Sequence, residues 1–197
     1  MSTADYAVEG PTDDVAIRRI MQSVGLVPGL GLGGNGREAL LNRVPNYNRA
    51  ARVGPFVVLI DFERDQGCVG AFVRRVLPAP SELMRLRVAV RSIESWFMAD
   101  ADSLARYLNV PVDRIPAQPD TIAQPKLQMV NLARRSRSSV IRREMVPREG
   151  SGRSVGPAYT SRMQEFARFH WNIERAADTS PSLLRSLRAL KTLAECT

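Results

Sequence analysis

The chain predicts an α/β fold, a mostly parallel, doubly wound sheet flanked by helices and followed by a basic helical C-terminal portion. Three observations carry this. Apolar strand-like runs alternate with amphipathic helical stretches through residues 1–110. "PFVVLID" (Pro55–Asp61) is apolar without alternation, as in a parallel strand buried on both faces. The basic excess lies in the second half, where residues 124–169 hold ten basic and three acidic side chains.

Ala4–Glu9 ("ADYAVE") reads as a short strand ending on a carboxylate. Thr12 can cap the next helix, whose first turn carries Asp13 and Asp14 against the positive end of the helix dipole. Ala16, Ile17, Ile20, Met21 and Val24 give that helix a buried stripe, with Arg18 and Arg19 outside, and Gly25 and Pro28 end it. "GLGLGGNGREALLNRVPNYNRAAR" reads as a glycine-rich loop running into a short amphipathic helix. Pro55–Asp61 is the second strand, "VGAFVRRVL" a helix, and "RLRVAVR" the third strand. "SIESWFMADADSLARYL" reads as one helix over Ser92–Leu108, closed by "NVP". The character changes after Val110: "PVDRIPAQPDTIAQP" is proline-rich and irregular, and "KLQMVNLARRSRSSVIRR" is a basic helix. "VPREGSGRSVGPAY" is a glycine-rich loop, and two helices over residues 160–177 and 182–194 finish the chain. Residues 1–110 are thus expected to form the α/β core, with residues 111–197 packed on it.

A chain of 197 residues can bury one good core. No apolar run approaches the roughly 18 residues of a membrane span, and "MSTADYAVEG" lacks the basic and apolar regions of a signal peptide. A cytoplasmic protein with no membrane partner is expected. Two cysteines are too few for a disulfide scaffold, and one histidine argues against a His/Cys zinc site. A metal here would be held by carboxylate oxygens, which suits magnesium, manganese or calcium. The net charge of +8 and pI near 10.4 point to a polyanionic partner. Only two of the 28 basic residues are lysines. Arginine suits planar phosphate contacts, although a codon habit replacing lysine throughout gives the same composition.

Parallel sheets place their sites at the carboxyl ends of strands. Glu9 follows the first strand, "DFERD" closes the second, and Glu94 lies just beyond the third. Asp61, Glu63 and Asp65 alternate, so an extended backbone points all three to one side. Carboxylates crowded this way repel unless a divalent cation neutralises them, and magnesium sites for phosphoryl chemistry are assembled like this. Arg64 lies inside the cluster as an ion-pair partner. Asp100 and Asp102 fall about two turns beyond Glu94 on one helix and are expected to be solvated. Asp13 and Asp14 read as helix-start residues outside the cluster.

"YAVEGPTDD" followed by "VVLIDFERD" resembles the Toprim domain of topoisomerases, primases and OLD-type nucleases, with its glutamate after one strand and Asp-x-Asp after a later one. More closely, "VEGPTDD", "GGNGREALLNRVPNY", "IESWFMAD" and "GPAYTSRMQEF…NIERAADTSPSLLRSLRAL" resemble a Toprim-like family of unknown function over nearly the whole chain. The resemblance implies a Toprim-like (Rossmann-like) core, with Glu9 as the family glutamate and Asp61 and Glu63 as the two later acids. Glu63 departs from the expected aspartate; its longer arm shifts the carboxylate, which Asp65 could compensate. The implied activity is Mg2+- (or Mn2+-) dependent phosphodiester hydrolysis on nucleic acid, DNA before RNA. Glu9, Asp61 and Glu63 would be catalytic, with Asp65 and Glu94 as further metal ligands. The resemblance also implies work beside an ATPase, in defence or DNA processing. The alternative is a non-catalytic module that binds metal or nucleic acid as an ATPase partner.

"GLGLGGNGRE" lacks the Gly-Lys-Ser/Thr end of a nucleotide P-loop and reads first as a connector, with Arg37 available to contact phosphates. The run "RRSRSSVIRR" spreads Arg134, Arg135, Arg137, Arg142 and Arg143 over more than one helical face, as a solvated surface or a backbone-tracking one. Cys68 reads as a small packed hydrophobe, and Trp96, Phe97, Phe166, Phe169 and Trp171 as core. His170 reads as structural among those aromatics, and Ser180–Pro181 as a helix start.

Overall fold

The computed structural model describes residues 2–62 and 67–196. Glu63, Arg64 and Asp65 lie outside the described residues. The expected α/β architecture is present, as four all-parallel strands in the order β2-β1-β3-β4 with helices on both faces. The strands are β1 (Thr3–Val8), β2 (Val27–Gly33), β3 (Phe56–Asp61) and β4 (Met84–Ala89). β1 leads through α1 (Pro11–Ser23) to β2 on one side. The chain then returns through α2 (Arg37–Ala50) to β3 on the other side of β1 and continues through α3 (Val69–Val76) to β4. Right-handed crossovers running in opposite directions put their helices on opposite faces. Accordingly Ile17, Ile20 and Met21 of α1 pack with Val57 and Leu59 on one face. Leu40 and Val44 of α2 and Phe72 of α3 pack with Val58 and Ile60 on the other.

β2 corrects the glycine-rich loop expected from "GLGLGG". It pairs with β1 from Thr3↔Val27 to Val8↔Gly33. Its glycines follow from what β1 lays across it: a Cβ on Gly31 would sit 2.5 Å from the Tyr6 hydroxyl. Gly33, at φ +104°, would put one 2.1 Å from the Val8 carbonyl oxygen. Pro28 lies inside this strand rather than ending α1, and an edge strand tolerates the missing N–H. α1 itself starts one step before the expected Thr12 cap, with Gly10 as N-cap and Pro11 preset for the first helical position.

Three long helices expected from the sequence are each two helices. Ser92–Leu108 divides into α4 (Ile93–Ala99) and α5 (Ala101–Leu108). The basic segment divides into α6 (Pro125–Arg134) and α7 (Ser139–Met145), and the next into α8 (Tyr159–Phe169) and α9 (Ile173–Thr179). At each break a short polar side chain caps the new helix: Asp100 accepts from the Ser103 N–H, Ser138 from Ile141 and Asn172 from Arg175. Such residues offer the backbone a local alternative to a continuing helix. α10 (Pro181–Glu195) begins as expected, with Ser180 accepting from the Leu183 N–H.

Residues from both halves share one core, in which Trp96 and Phe97 of α4 meet Phe166 of α8, Trp171 and Leu183 of α10. Phe169 departs from the expected core: it is 69% exposed at the end of α8. His170 is also exposed, resting against the Tyr107 ring at 5.0 Å. Asp100 is fully buried rather than solvated, its carboxylate taking the Asn172 N–H at 2.7 Å and the Arg175 Nε at 2.7 Å. No helix among the described residues is long and apolar enough to cross a membrane.

Candidate carboxylate site

The strand order reverses between β1 and β3, which are neighbours although β2 intervenes in sequence. In open α/β sheets a crevice forms beyond the carboxyl ends of the strands at such a point. Glu9 leaves β1 there and Asp61 ends β3 there, and Glu9 Oε1 accepts the Asp61 backbone N–H at 2.9 Å. Arg37, at the start of α2, donates to the same Glu9 oxygen at 3.3 Å and also to the Asp61 carbonyl oxygen. Arg37 therefore ties the two strand ends together, and its side chain is 14% exposed.

α4 begins where the chain leaves β4, so its first N–H, from Ile93, donates to Asp61 Oδ1 at 3.0 Å. The next residue, Glu94, is 3% exposed. Its Oε2 accepts from the Ser92 hydroxyl at 2.6 Å and its Oε1 from the Tyr159 hydroxyl at 3.2 Å. Lys126 Nζ stands 3.7 Å from Glu94 Oε1. Asp13, Asp61, Glu94, Lys126 and Tyr159 line a common cavity of ≈ 200 Å³.

The structure thus brings together Glu9, Asp61 and Glu94 of the predicted set and adds residues that sequence reasoning passed over. Asp13 is the correction with most consequence, because it belongs to the cluster as well as to the first turn of α1. Its Oδ1 is covered and has no hydrogen-bond partner among the described residues. Burial, then the charges of Glu94 and Glu9, push its pKa up to about 7, while the Gly10 backbone N–H pulls the other way. Asp61 keeps a partial solvent opening as a residue. Its carboxyl is still desolvated enough to be pushed well up, with Asp13, Glu94 and Glu9 adding repulsion. Burial and the neighbouring Glu94 likewise raise the Tyr159 phenol. Lys126 lowers the acid pKa values but does not cancel the crowding. Among the described residues no three Asp, Glu, His or Cys side chains close into a metal cage; Asp13, Asp61 and Glu94 line the cavity instead.

Apart from Arg37, the predicted arginines lie elsewhere. Arg134, Arg135, Arg137, Arg142 and Arg143 are all exposed. Arg134 and Arg135 line, with Arg114, Gln128 and Asn131, an open groove of ≈ 420 Å³. Arg142 donates to the Ser136 carbonyl and Arg143 stands 3.8 Å from Glu144. α6 links the two regions, carrying Lys126 at the cavity and Arg134 eight residues later, about 12 Å along the helix. Cys68 is exposed at the N-cap of α3 rather than packed, and the backbone amides of Ala71 and Gly70 lower its thiol pKa.

Comparison with known protein families, curated proteins and solved structures gives no match to this chain.

Proposed function

We propose that the chain is a divalent-cation-dependent phosphodiesterase of the Toprim kind, acting on nucleic acid, with DNA preferred over RNA. The observation that supports this best is Asp13 Oδ1, a covered carboxylate oxygen without a partner among the described residues, amid Glu9, Asp61 and Glu94. Crowded acids with raised pKa values are the condition a divalent cation relieves. The donors are all oxygen, which fits Mg2+ or Mn2+. Glu9, Asp13, Asp61 and Glu94 would hold it, with Glu63 and Asp65 as further ligands. When bound, such a cation lowers the pKa of water and neutralises charge on a phosphoryl oxygen.

The chain's own groups have separable tasks. Arg37 fixes Glu9 against the Asp61 backbone, so the two strand ends keep their spacing. The Tyr159 and Ser92 hydroxyls each occupy one oxygen of Glu94 and fix its rotamer. Lys126, with a 61% exposed side chain, presents its ammonium toward the solvent side of the cavity, where a phosphate oxygen can reach it. The groove of Arg114, Arg134 and Arg135 would hold flanking backbone without reading bases. An ATPase partner, in defence or DNA processing, is part of the proposal on resemblance alone.

One observation favours the second reading, a non-catalytic module. Arg37 beside Glu9 and Lys126 beside Glu94 already compensate part of the negative charge. Cleavage of plasmid, linear DNA and RNA with Mg2+, Mn2+ or EDTA separates the two. The nuclease reading expects metal-dependent cleavage that Asp61→Asn and Glu9→Gln each reduce by about 100-fold or more. Cleavage indifferent to both substitutions rules out this site, and no cleavage under any condition favours the non-catalytic module.

A further inference from the structure

Most of the partly buried arginines are committed to structural acceptors. Arg19 donates to the carbonyls of Ala167, Arg168 and Trp171; Arg85 to Ala189; Arg162 to Glu144 and Glu165; Arg175 to Asp100. Arg91 differs. It follows β4 and is only partly exposed, yet its Nε and Nη1 are covered and have no hydrogen-bond partner among the described residues. It makes no ion pair among the described residues. Its backbone is fixed, the carbonyl accepting from the Phe62 N–H at 2.9 Å and the N–H reaching the Ser95 hydroxyl at 3.2 Å.

The guanidinium is held over the Phe62 ring, 5.4 Å from its centre. Phe62 meets Phe72 edge-on at 5.9 Å, and both rings are buried. Two more guanidinium groups stand over Phe72, Arg37 at 5.3 Å and Arg75 at 5.7 Å. Three positive groups therefore surround one aromatic pair, on the α2 and α3 side of the sheet. Through Arg37 this group is continuous with Glu9 and Asp61. The ≈ 200 Å³ cavity instead opens among residues of α1, α4, α6 and α8. Stacking on an aromatic face offsets part of the desolvation of a cation but accepts none of its N–H bonds. A covered N–H left unpaired in the folded chain lowers stability. Like-charged neighbours add repulsion, and an anion relieves both.

We propose that Arg91, flanked by Arg75 and Arg37, binds a phosphate oxyanion beside the carboxylate site. The ligand chemistry is a phosphodiester of the substrate backbone, which rests on the nuclease reading, and a free phosphate shares it. Stacking on Phe62 fixes the plane of the Arg91 guanidinium, and a planar guanidinium suits contact with phosphate oxygens. The acids on one side of the β1/β3 junction and the arginines on the other would then hold adjacent parts of one strand.

The test uses the full chain in EDTA, so that it is independent of any cleavage. A fluorescent 20-nucleotide DNA duplex is titrated by anisotropy over a range of salt concentrations, and inorganic phosphate is titrated by thermal shift. Arg91→Met is expected to weaken binding of the duplex roughly 10-fold and to reduce the salt slope by about one, with the thermal midpoint unchanged or raised. Arg91→Lys, which keeps the charge and loses the fork, is expected to fall between. Loss confined to the inorganic phosphate arm assigns the site to a free phosphate. Binding within twofold of wild type in both arms overturns the proposal, as does absence of binding by the wild type. A fall in midpoint for Arg91→Met that Arg91→Lys restores, with binding unchanged in either, makes Arg91 structural and also overturns it. Failure of the nuclease reading shows instead in the cleavage assay, with these affinities intact.

Discussion

Asp13 carries two roles that look separate along the chain: it opens α1, and it faces Glu9, Asp61 and Glu94. The sequence shows the first through its place after Gly10–Pro11. The second depends on a turn short enough to keep the first helical turn beside the strand end. The four-residue step from Glu9 to Asp13 was the available signal. Lys126 was visible only as an anomaly, one of two lysines among 28 basic residues; nothing local said that it would reach Glu94. With its pKa raised to about 7, Asp13 makes folding stability pH-dependent. The folded chain keeps a proton that the unfolded chain releases above about pH 4. Its contribution is therefore complete below about pH 4 and is lost as pH rises through about 7. In EDTA, denaturant unfolding should show stability falling over that interval, by up to about 3 kcal/mol from this residue. Asp13→Asn should flatten the fall and stabilise the protein at pH 8. An unchanged profile in the variant contradicts the burial and crowding assigned to this carboxyl.

At the scale of elements, β1, β3, β4 and the helix after β1 were legible because apolar runs and helical stripes identify them directly. β2 was not, because its glycines and proline are what a loop also shows. Their reason lies in another strand, where Tyr6 crosses the edge at Gly31. Gly31→Val should displace the Tyr6 ring and its 2.6 Å bond to Asp14, costing about 1–3 kcal/mol in denaturant unfolding. A neutral result would place the ring elsewhere. The three helix breaks were hidden for a similar reason, since Asp100, Ser138 and Asn172 act through caps that a periodicity argument does not weigh. Asp100 is the sharpest case, its carboxylate joining α5 to Arg175 of α9 at 2.6 Å. Arg175→Ala leaves a fully buried carboxylate short of its cation and should destabilise by about 3 kcal/mol. Asp102, on the exposed side of α5, should tolerate alanine within about 0.5 kcal/mol.

At the scale of the molecule, the acids gather at one strand-end junction while the chain as a whole carries +8. Four carboxylates repel a polyanion unless a cation neutralises them, so the proposed nucleic-acid binding and the proposed cation binding would support each other. Binding of a DNA duplex should strengthen when Mg2+ replaces EDTA at constant ionic strength, and Asp61→Asn should abolish that gain. The convergence of acids from successive strand ends was readable from the sequence because the sheet is parallel. The depth of the cavity was not, because Lys126 and Tyr159 arrive from helices more than thirty residues beyond Glu94.

Whether the carboxylate junction takes a divalent cation, as proposed, is read by calorimetric titration of the full chain with Mn2+ at pH 7.5. Saturable binding is expected, with near one-to-one or two-to-one stoichiometry, weakened at least tenfold by Asp61→Asn and by Asp13→Asn. No saturable binding at millimolar Mn2+, or binding that both substitutions leave intact, would show that the junction is not a cation site.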